Sequence, residues 1–347
     1  MRLTFKELKD EVQKIVPKDI PYTVELEAGN IALVTPEPNR ILATDGLLAK
    51  ISHKVKRKIV LRPDTSIMKS EIDATKIVRE IIPESAAINQ IYFDSCYREI
   101  TVQCENPGEA VGRRGVNLQQ IRDQSGWLIS VERTPPLVSK TVHDIRGYRH
   151  AHAEERRKLL KDFGLNMHRP VRPGASWARV TALGSYREVG RACHFVTTNE
   201  SRVMIDVGVN IASDTDPMPY FTAPEALPME KLDAVVLTHA HLDHAGMLPV
   251  LFKYGYRGPV YCTPPTRDLM LLLQTDYLKV GGSEGKRAPY SMEDIRTCMK
   301  HVVDVDWDET TDITPDIKLT FSNAGHILGS SAVHLHIGEG KHNIVFS

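Results

Sequence analysis

Thr238-His239-Ala240-His241-Leu242-Asp243-His244-Ala245-Gly246 decides how this chain folds. Three imidazoles and one carboxylate fall within six positions. An apolar run, Ala234 to Leu237, leads in and reads as a buried strand. A helical pattern, Met247 to Tyr254, leads out. The cluster therefore sits on a strand-to-helix loop. Residues two apart in an extended stretch point the same way. That sets His239 beside His241, within reach of one metal ion. Asp243 and His244 fall at the turn into the helix and can face a second. Imidazole and carboxylate ligands suit zinc, and a catalytic zinc keeps one position for water.

Around this loop the chain from Trp177 onward reads as alternating strands and helices. Strands are expected over 179–184, 191–198 and 202–207, the last ending at Asp206-Val207-Gly208. After the cluster come a strand at 260–263 and a helix at 266–280, interrupted by Gly281-Gly282-Ser283. A helix near 291–301 and strands at 302–305 and 317–322 follow. Then comes Asn323-Ala324-Gly325-His326-Ile327-Leu328-Gly329-Ser330. His326 is placed like His239, just past an apolar strand and beside a glycine. Strands at 333–337 and 343–346 close the sequence. His334 and His336 lie mid-strand with no glycine loop and read as one strand face rather than a ligand pair.

Residues 1–134 have a different pattern. Residues 4–16 form an amphipathic helix stopped by Pro17 and Pro21. Strands 22–26 and 31–35, helices 39–45 and 47–55, and a strand at 58–62 follow. Residues 70–133 repeat the order. A shift of 69 residues lays Pro38 on Pro107 and Gly46 on Gly115, as in a tandem repeat of one α/β module. The second copy carries Gly112-Arg113-Arg114-Gly115 between its two helices, which resembles the G-x-x-G loop of a KH domain. Glycines let phosphates approach the backbone, the following helix N-terminus favours an anion, and two arginines add charge. The first copy has Ala43-Thr44-Asp45-Gly46 instead, with an acid and without the first glycine, so its loop is expected not to grip phosphate. Lys50, Lys54, Lys56, Arg57, Lys58 and Arg62 form a run of six bases without an acid. It reads equally well as a solvated face or as a patch touching a nucleic-acid backbone.

Residues 135–176 read as a basic helical linker, with a helix near 144–162 and closing signals at Pro170 and Pro173-Gly174. His150 and His152 lie two apart on that helix and point away from each other, so they form no metal pair. The division proposed is 1–68, 69–134, 135–176 and 177–347. Charge follows it: residues 1–172 hold 29 Lys+Arg against 23 Asp+Glu, and residues 173–347 hold 15 against 21. A basic part joined to an acidic, metal-type part suggests that one binds a polyanion while the other does chemistry. The five cysteines, Cys96, Cys104, Cys193, Cys262 and Cys298, are odd in number and form no C-x-x-C, so buried thiols in a reducing compartment are expected. The N-terminus has no apolar leader and no run of about eighteen apolar residues occurs, which points to the cytoplasm.

At this point the residues match a family. The His239-to-His244 motif and Gly325-His326 resemble the second and third motifs of the metallo-β-lactamase fold, and Asp206 resembles the first. Gly184-Ser-Tyr-Arg-Glu-Val-Gly-Arg-Ala-Cys193 and Gly325-His-Ile-Leu-Gly-Ser330 resemble the β-CASP nucleases. With KH modules ahead of them, the whole is similar to archaeal homologues of the cleavage and polyadenylation specificity factor nuclease. The expected fold is α/β and α+β: two tandem KH-type modules, then a metallo-β-lactamase αββα sandwich. Only the first part of that sandwich is expected here, with little more than one of its two sheets.

The resemblance implies a two-zinc ribonuclease for RNA 3′-end processing or transcription termination. His239, His241 and His326 would hold one ion, and Asp243 and His244 the other, at the catalytic position. Asp206 would orient ligands from behind, and Gly112 to Gly115 would bind single-stranded RNA. The transcription machinery and a second copy of the chain are the further partners implied. The family's bridging aspartate and later histidine have no counterpart before Ser347. The piece by itself is therefore expected to be inactive and to expose apolar faces of strands such as 332–337. Two other readings are a small-molecule hydrolase of the same fold and an RNA-binding protein with a dead nuclease domain. The G-R-R-G module argues against the first and the intact ligands argue against the second.

Overall fold

The computed structural model describes residues 3–137, 139–171, 176–213, 215–283 and 289–347. Pro173-Gly174 lies outside them. Two compact units are present, Met1–Lys161 and Asp162–Ser347. Among the described residues no helix is long and apolar enough to cross a membrane.

In the first unit, α1 (Phe5–Ile15) starts at a capping box. The Thr4 side chain accepts from the Glu7 amide, and Glu7 reaches back to the Thr4 amide. Leu8 and Val12, one turn apart, are its buried residues. Then come β1 (Thr23–Glu27), β2 (Asn30–Thr35), α2 (Pro38–Ala43), α3 (Leu47–Val55) and β3 (Ile59–Pro63). The repeat follows as α4 (Glu71–Ile81), β4 (Ile88–Asp94), β5 (Glu99–Cys104), α5 (Pro107–Val111), α6 (Val116–Ser125) and β6 (Leu128–Arg133). Each sheet has its second strand in the middle. β1 and β2 pair antiparallel and β2 and β3 parallel; β4, β5 and β6 repeat this. A parallel step needs a crossover, and the two short helices supply it. Each copy has its own core, built on Ile31 and Leu33 in the first and on Ile100 and Val102 in the second.

The basic stretch beyond them is two helices rather than one, α7 (Lys140–Ala151) and α8 (Ala153–Met167). Through Lys161 it falls within the first compact unit. Its bases explain why. Arg149 and Arg156 are buried. Arg146 meets Glu132 at 3.2 Å and lies over the Tyr92 ring at 4.6 Å. Arg156 lies over one ring, Tyr97, at 5.5 Å, and Arg62 lies over it at 5.0 Å. His150 faces Glu71, and His152 packs on Tyr148.

The second unit holds two sheets. The first contains β7 (Ala178–Ala182), β8 (His194–Thr198), β9 (Arg202–Ile205), β10 (Ala234–Val236), β11 (Val260–Cys262) and β12 (Val302–Asp304), in the order β12-β11-β10-β9-β8-β7. From β9 to β12 neighbours are parallel. Every residue of β10 and β11 is buried, as in a sheet covered on both faces. Helices α9 (Leu242–Ala245), α10 (Leu248–Lys253), α11 (Pro264–Ser283) and α12 (Met292–His301) serve this sheet. α11 runs through Gly281-Gly282 instead of stopping there.

The second sheet has four antiparallel strands, β13 (Thr310–Asp312), β14 (Ile317–Asn323), β15 (Ser331–Ile337) and β16 (His342–Phe346). Little more than one sheet is expected from the sequence, and a second of four strands is present. β13 is short and polar and gives no alternating signal. Nor are the apolar residues of β15 exposed. Val333, Leu335 and Ile337 are fully buried, as are Ile317, Leu319 and Phe321 of β14. The outward face carries His334 and His336, whose rings stack at 3.8 Å and share Asn343 Oδ1. All five cysteines are free and buried, and burial pushes the Cys96 thiol up to about 11.

Candidate metal centre and phosphate loop

The ligand loop follows β10, where the sheet's parallel strands end. α9 begins at Leu242, inside the motif. His239 and His241 thus lie on the extended approach, while Asp243 and His244 lie in the first helical turn. His326 arrives from the loop between β14 and β15. That loop is tied to the first, since the Ser331 amide donates to the Thr238 carbonyl at 2.9 Å. It is also held internally: the Ser330 hydroxyl accepts from the His326 amide at 3.0 Å. The Gly329 carbonyl accepts from the Thr263 and Thr266 hydroxyls at 2.7 and 3.0 Å.

Three ring nitrogens converge. His241 Nδ1 lies 3.2 Å from His239 Nε2 and 3.3 Å from His326 Nε2, and all three fall within 4.8 Å of one another. Two nitrogens bound tetrahedrally to one zinc would stand about 3.3 Å apart, given a Zn–N bond of roughly 2.0–2.1 Å. The donor set fits a zinc-type cation. Burial, with the neighbouring imidazoles, lowers His239 to about 4, so its ring is neutral and can offer a lone pair.

Asp206 sets the direction of those lone pairs. It is buried, and its backbone stands at φ 60°, the left-handed region that Asp tolerates better than most residues. Its carboxylate accepts from the Thr238 amide and the Thr238 hydroxyl, each at 2.8 Å. With that proton committed, Thr238 Oγ1 can only accept from His239 Nδ1 at 2.9 Å. His239 then carries its proton on Nδ1, and Nε2 is left for the cluster. The same carboxylate takes the Nδ1 proton of His244 at 2.8 Å. His244 Nε2 then faces Asp243 at 3.7 Å, a second pair beside the trio. Burial pulls the His244 pKa down, but the Asp206 hydrogen bond and the two carboxylate charges outweigh it and the net shift is upward. The sequence gives Thr238 and Ser330 no role of their own. Their only signal is their place beside a ligand.

Gly208 completes the support. A Cβ there would stand 1.7 Å from the Asp243 carbonyl oxygen, so the β9 turn touches the ligand loop backbone to backbone. The Ala192 amide donates to that carbonyl at 2.8 Å.

In the first unit, Gly112 has φ 72° and ψ 173°, and Gly115 caps α6 from φ 77°. Arg113 and Arg114 between them are exposed. A Cβ on Gly112 would meet the Asn117 side chain at 2.7 Å. Asn117 in turn donates to the Glu109 and Ala110 carbonyls at 3.1 and 3.2 Å, which closes the turn. In the first copy Gly46 caps α3 from φ 64°, so the left-handed cap is repeated. Ala43, Thr44 and Asp45 are exposed in place of the glycine and the arginines.

Comparison with known proteins finds two kinds of domain in the chain. The profile of a metallo-β-lactamase superfamily domain matches residues 195–347. The profile of the KH domain of transcription termination factor FttA matches residues 2–68. Transcription termination factor FttA of Methanosarcina mazei is 45% identical over 342 residues, 98% of this chain and 54% of that protein. FttA of Methanocaldococcus jannaschii is 42% identical, over 98% of this chain and 54% of its own length. Among solved structures, a motif mutant of a metallo-β-lactamase from Cronobacter sakazakii aligns at TM-score 0.33 and 19% identity, over 51% of this chain and 64% of that one. The chain spans about half the length of the curated relatives it matches. Its homologues include the FttA transcription termination factors of archaea, and it carries matches to both a KH domain and a metallo-β-lactamase domain.

Proposed function

We propose that this chain belongs to a zinc-dependent ribonuclease that acts in RNA 3′-end formation or transcription termination, with single-stranded RNA delivered by the KH modules. The convergence of His239, His241 and His326 at zinc-like spacing carries this reading. His239, His241 and His326 would hold one ion, and Asp243 and His244 would contribute to a second. Bound zinc supplies Lewis acidity and a water acidified toward neutral pH. The protein's own part is to orient the imidazoles. Thr238 and Asp206 do that by fixing the Nδ1 protons of His239 and His244, so that each Nε2 is the free donor atom. Gly112 to Gly115 would hold a phosphate of the RNA, with Arg113 and Arg114 adding charge. The transcription machinery is the natural further partner, because the relatives are termination factors by name.

The test is elemental analysis and an RNA cleavage assay on the protein that carries this chain. About two zinc per chain are expected for a complete dinuclear site. The double change His239→Ala, His241→Ala should lower the zinc count and abolish cleavage while leaving RNA binding unchanged. Undiminished cleavage by that variant would remove the assignment.

A further inference from the structure

The loop between β7 and β8 is built unlike an ordinary surface loop. Its neck is closed by the Leu183 amide on the Cys193 carbonyl at 2.9 Å and by the Ser185 hydroxyl on the Gly190 carbonyl at 3.1 Å. Gly184 presses so closely on the other side that a Cβ there would stand 2.0 Å from the Arg191 carbonyl oxygen. Arg191 ties the base. It meets Glu188 and the Asp216 carboxylate at 2.6 Å each, and the Asp216 and Met218 carbonyls at 3.2 Å each. Ser185, Arg187 and Arg191 all stand at positive φ, at 63°, 60° and 42°. Left-handed backbone in three non-glycine residues persists only where the surroundings enforce it, and such positions cluster at functional sites.

What this frame presents is unexpected for a solvated turn. Tyr186 is 76% exposed and Val189 88% exposed, with Arg187 exposed beside them. The frame is also attached to the metal centre. The Arg191 amide donates to the Val209 carbonyl, and the next residue, Ala192, donates to the carbonyl of Asp243. β8 begins at His194, paired with Ile205, one residue before Asp206. The loop therefore leaves the sheet at the end where His239, His241 and Asp243 stand.

We propose that this loop is a nucleotide platform beside the metal centre, with Tyr186 stacking on a base of single-stranded RNA and Arg187 meeting a phosphate next to it. An aromatic face takes any base without reading its edge, and a neighbouring cation tracks the backbone. Holding both on a preformed frame lowers the ordering cost of binding. This rests on the nuclease reading above and adds which residues outside the ligand set grip the substrate.

The test uses the 347-residue chain with Gly112→Asp, which removes the KH loop's share of binding, and a short oligouridylate carrying 4-thiouridine. Irradiation should cross-link the RNA to the peptide that contains Tyr186. Tyr186→Ala should weaken binding about tenfold, the scale of one lost base stack, while Tyr186→Phe keeps it. An abasic position at the cross-linked nucleotide should weaken the Tyr186 protein but not Tyr186→Ala. Equal affinity of the Ala and Phe variants would overturn the platform. Cross-links confined to other parts of residues 177–347 would overturn it too, yet leave the nuclease reading standing. No cross-link anywhere in 177–347 would count against both.

Discussion

The two copies of the N-terminal module share a backbone and differ in chemistry. Ile31 and Ile100, 69 residues apart, occupy the same place on the middle strand, and each is paired with an isoleucine, Ile59 or Ile129. Both copies turn into their second helix through a left-handed glycine, Gly46 or Gly115. Three residues earlier they part: Gly112 opens one loop at φ 72°, whereas Ala43 ends a helix in the other. One copy then shows two arginines to solvent, the other a threonine and an aspartate. The framework is kept by apolar residues that a ligand never touches, so it can persist after the loop has changed its chemistry. The backbone of the module and the charge of its loop are set by different residues.

Three measurements press on that comparison. The largest effect should come from the shared framework. Ile31→Ala and Ile100→Ala should each cost about 2–5 kcal/mol of stability in denaturant unfolding, as buried Ile→Ala changes do. A loss confined to one copy would mean the two cores are not equivalent. Next is the loop. Gly112→Asp forces a Cβ onto Asn117 at 2.7 Å and places an acid where phosphate should sit. Affinity of residues 1–161 for single-stranded RNA should fall about tenfold or more. Ala43→Asp should change it less than about twofold, because that loop already carries an acid. Equal losses would return phosphate binding to both copies. The smallest effect is on salt dependence. Arg113→Ala with Arg114→Ala should flatten the slope of log K against log salt by about 1.4, or roughly 0.7 per phosphate contact on a single strand. An unchanged slope would place the phosphates elsewhere.

Much of this was legible in the sequence because the signals were periodic or local. The repeat shows in Pro38 and Pro107 and in Gly46 and Gly115, each at a position with a backbone requirement. The trio shows because His239 and His241 stand two apart just past an apolar strand and His326 follows another such strand beside a glycine. What stayed hidden depended on contacts distant in sequence. Arg149 and Arg156 read as part of a basic linker helix, since nothing local reveals that Tyr97 and Asp94 will lie against Arg156. β13 is three residues of Thr and Asp that become a strand only by pairing with β14. The helix through Gly281-Gly282 overrides a local preference against glycine that is worth only about 1 kcal/mol per residue. Tyr186 is an ordinary residue in the sequence, and only the folded loop shows that it is held out into solvent.

Gly208 puts the ligand loop in another light. The histidines specify the centre by the atoms they bring, but Gly208 specifies it by an atom it lacks. The Asp243 carbonyl fills the space that any other residue's β-carbon would need. Anyone transplanting the proposed centre into a new scaffold from its candidate ligands alone would copy five side chains and lose the void that seats them. The blueprint of the site is part substance and part vacancy, and a catalogue of side chains records only the substance.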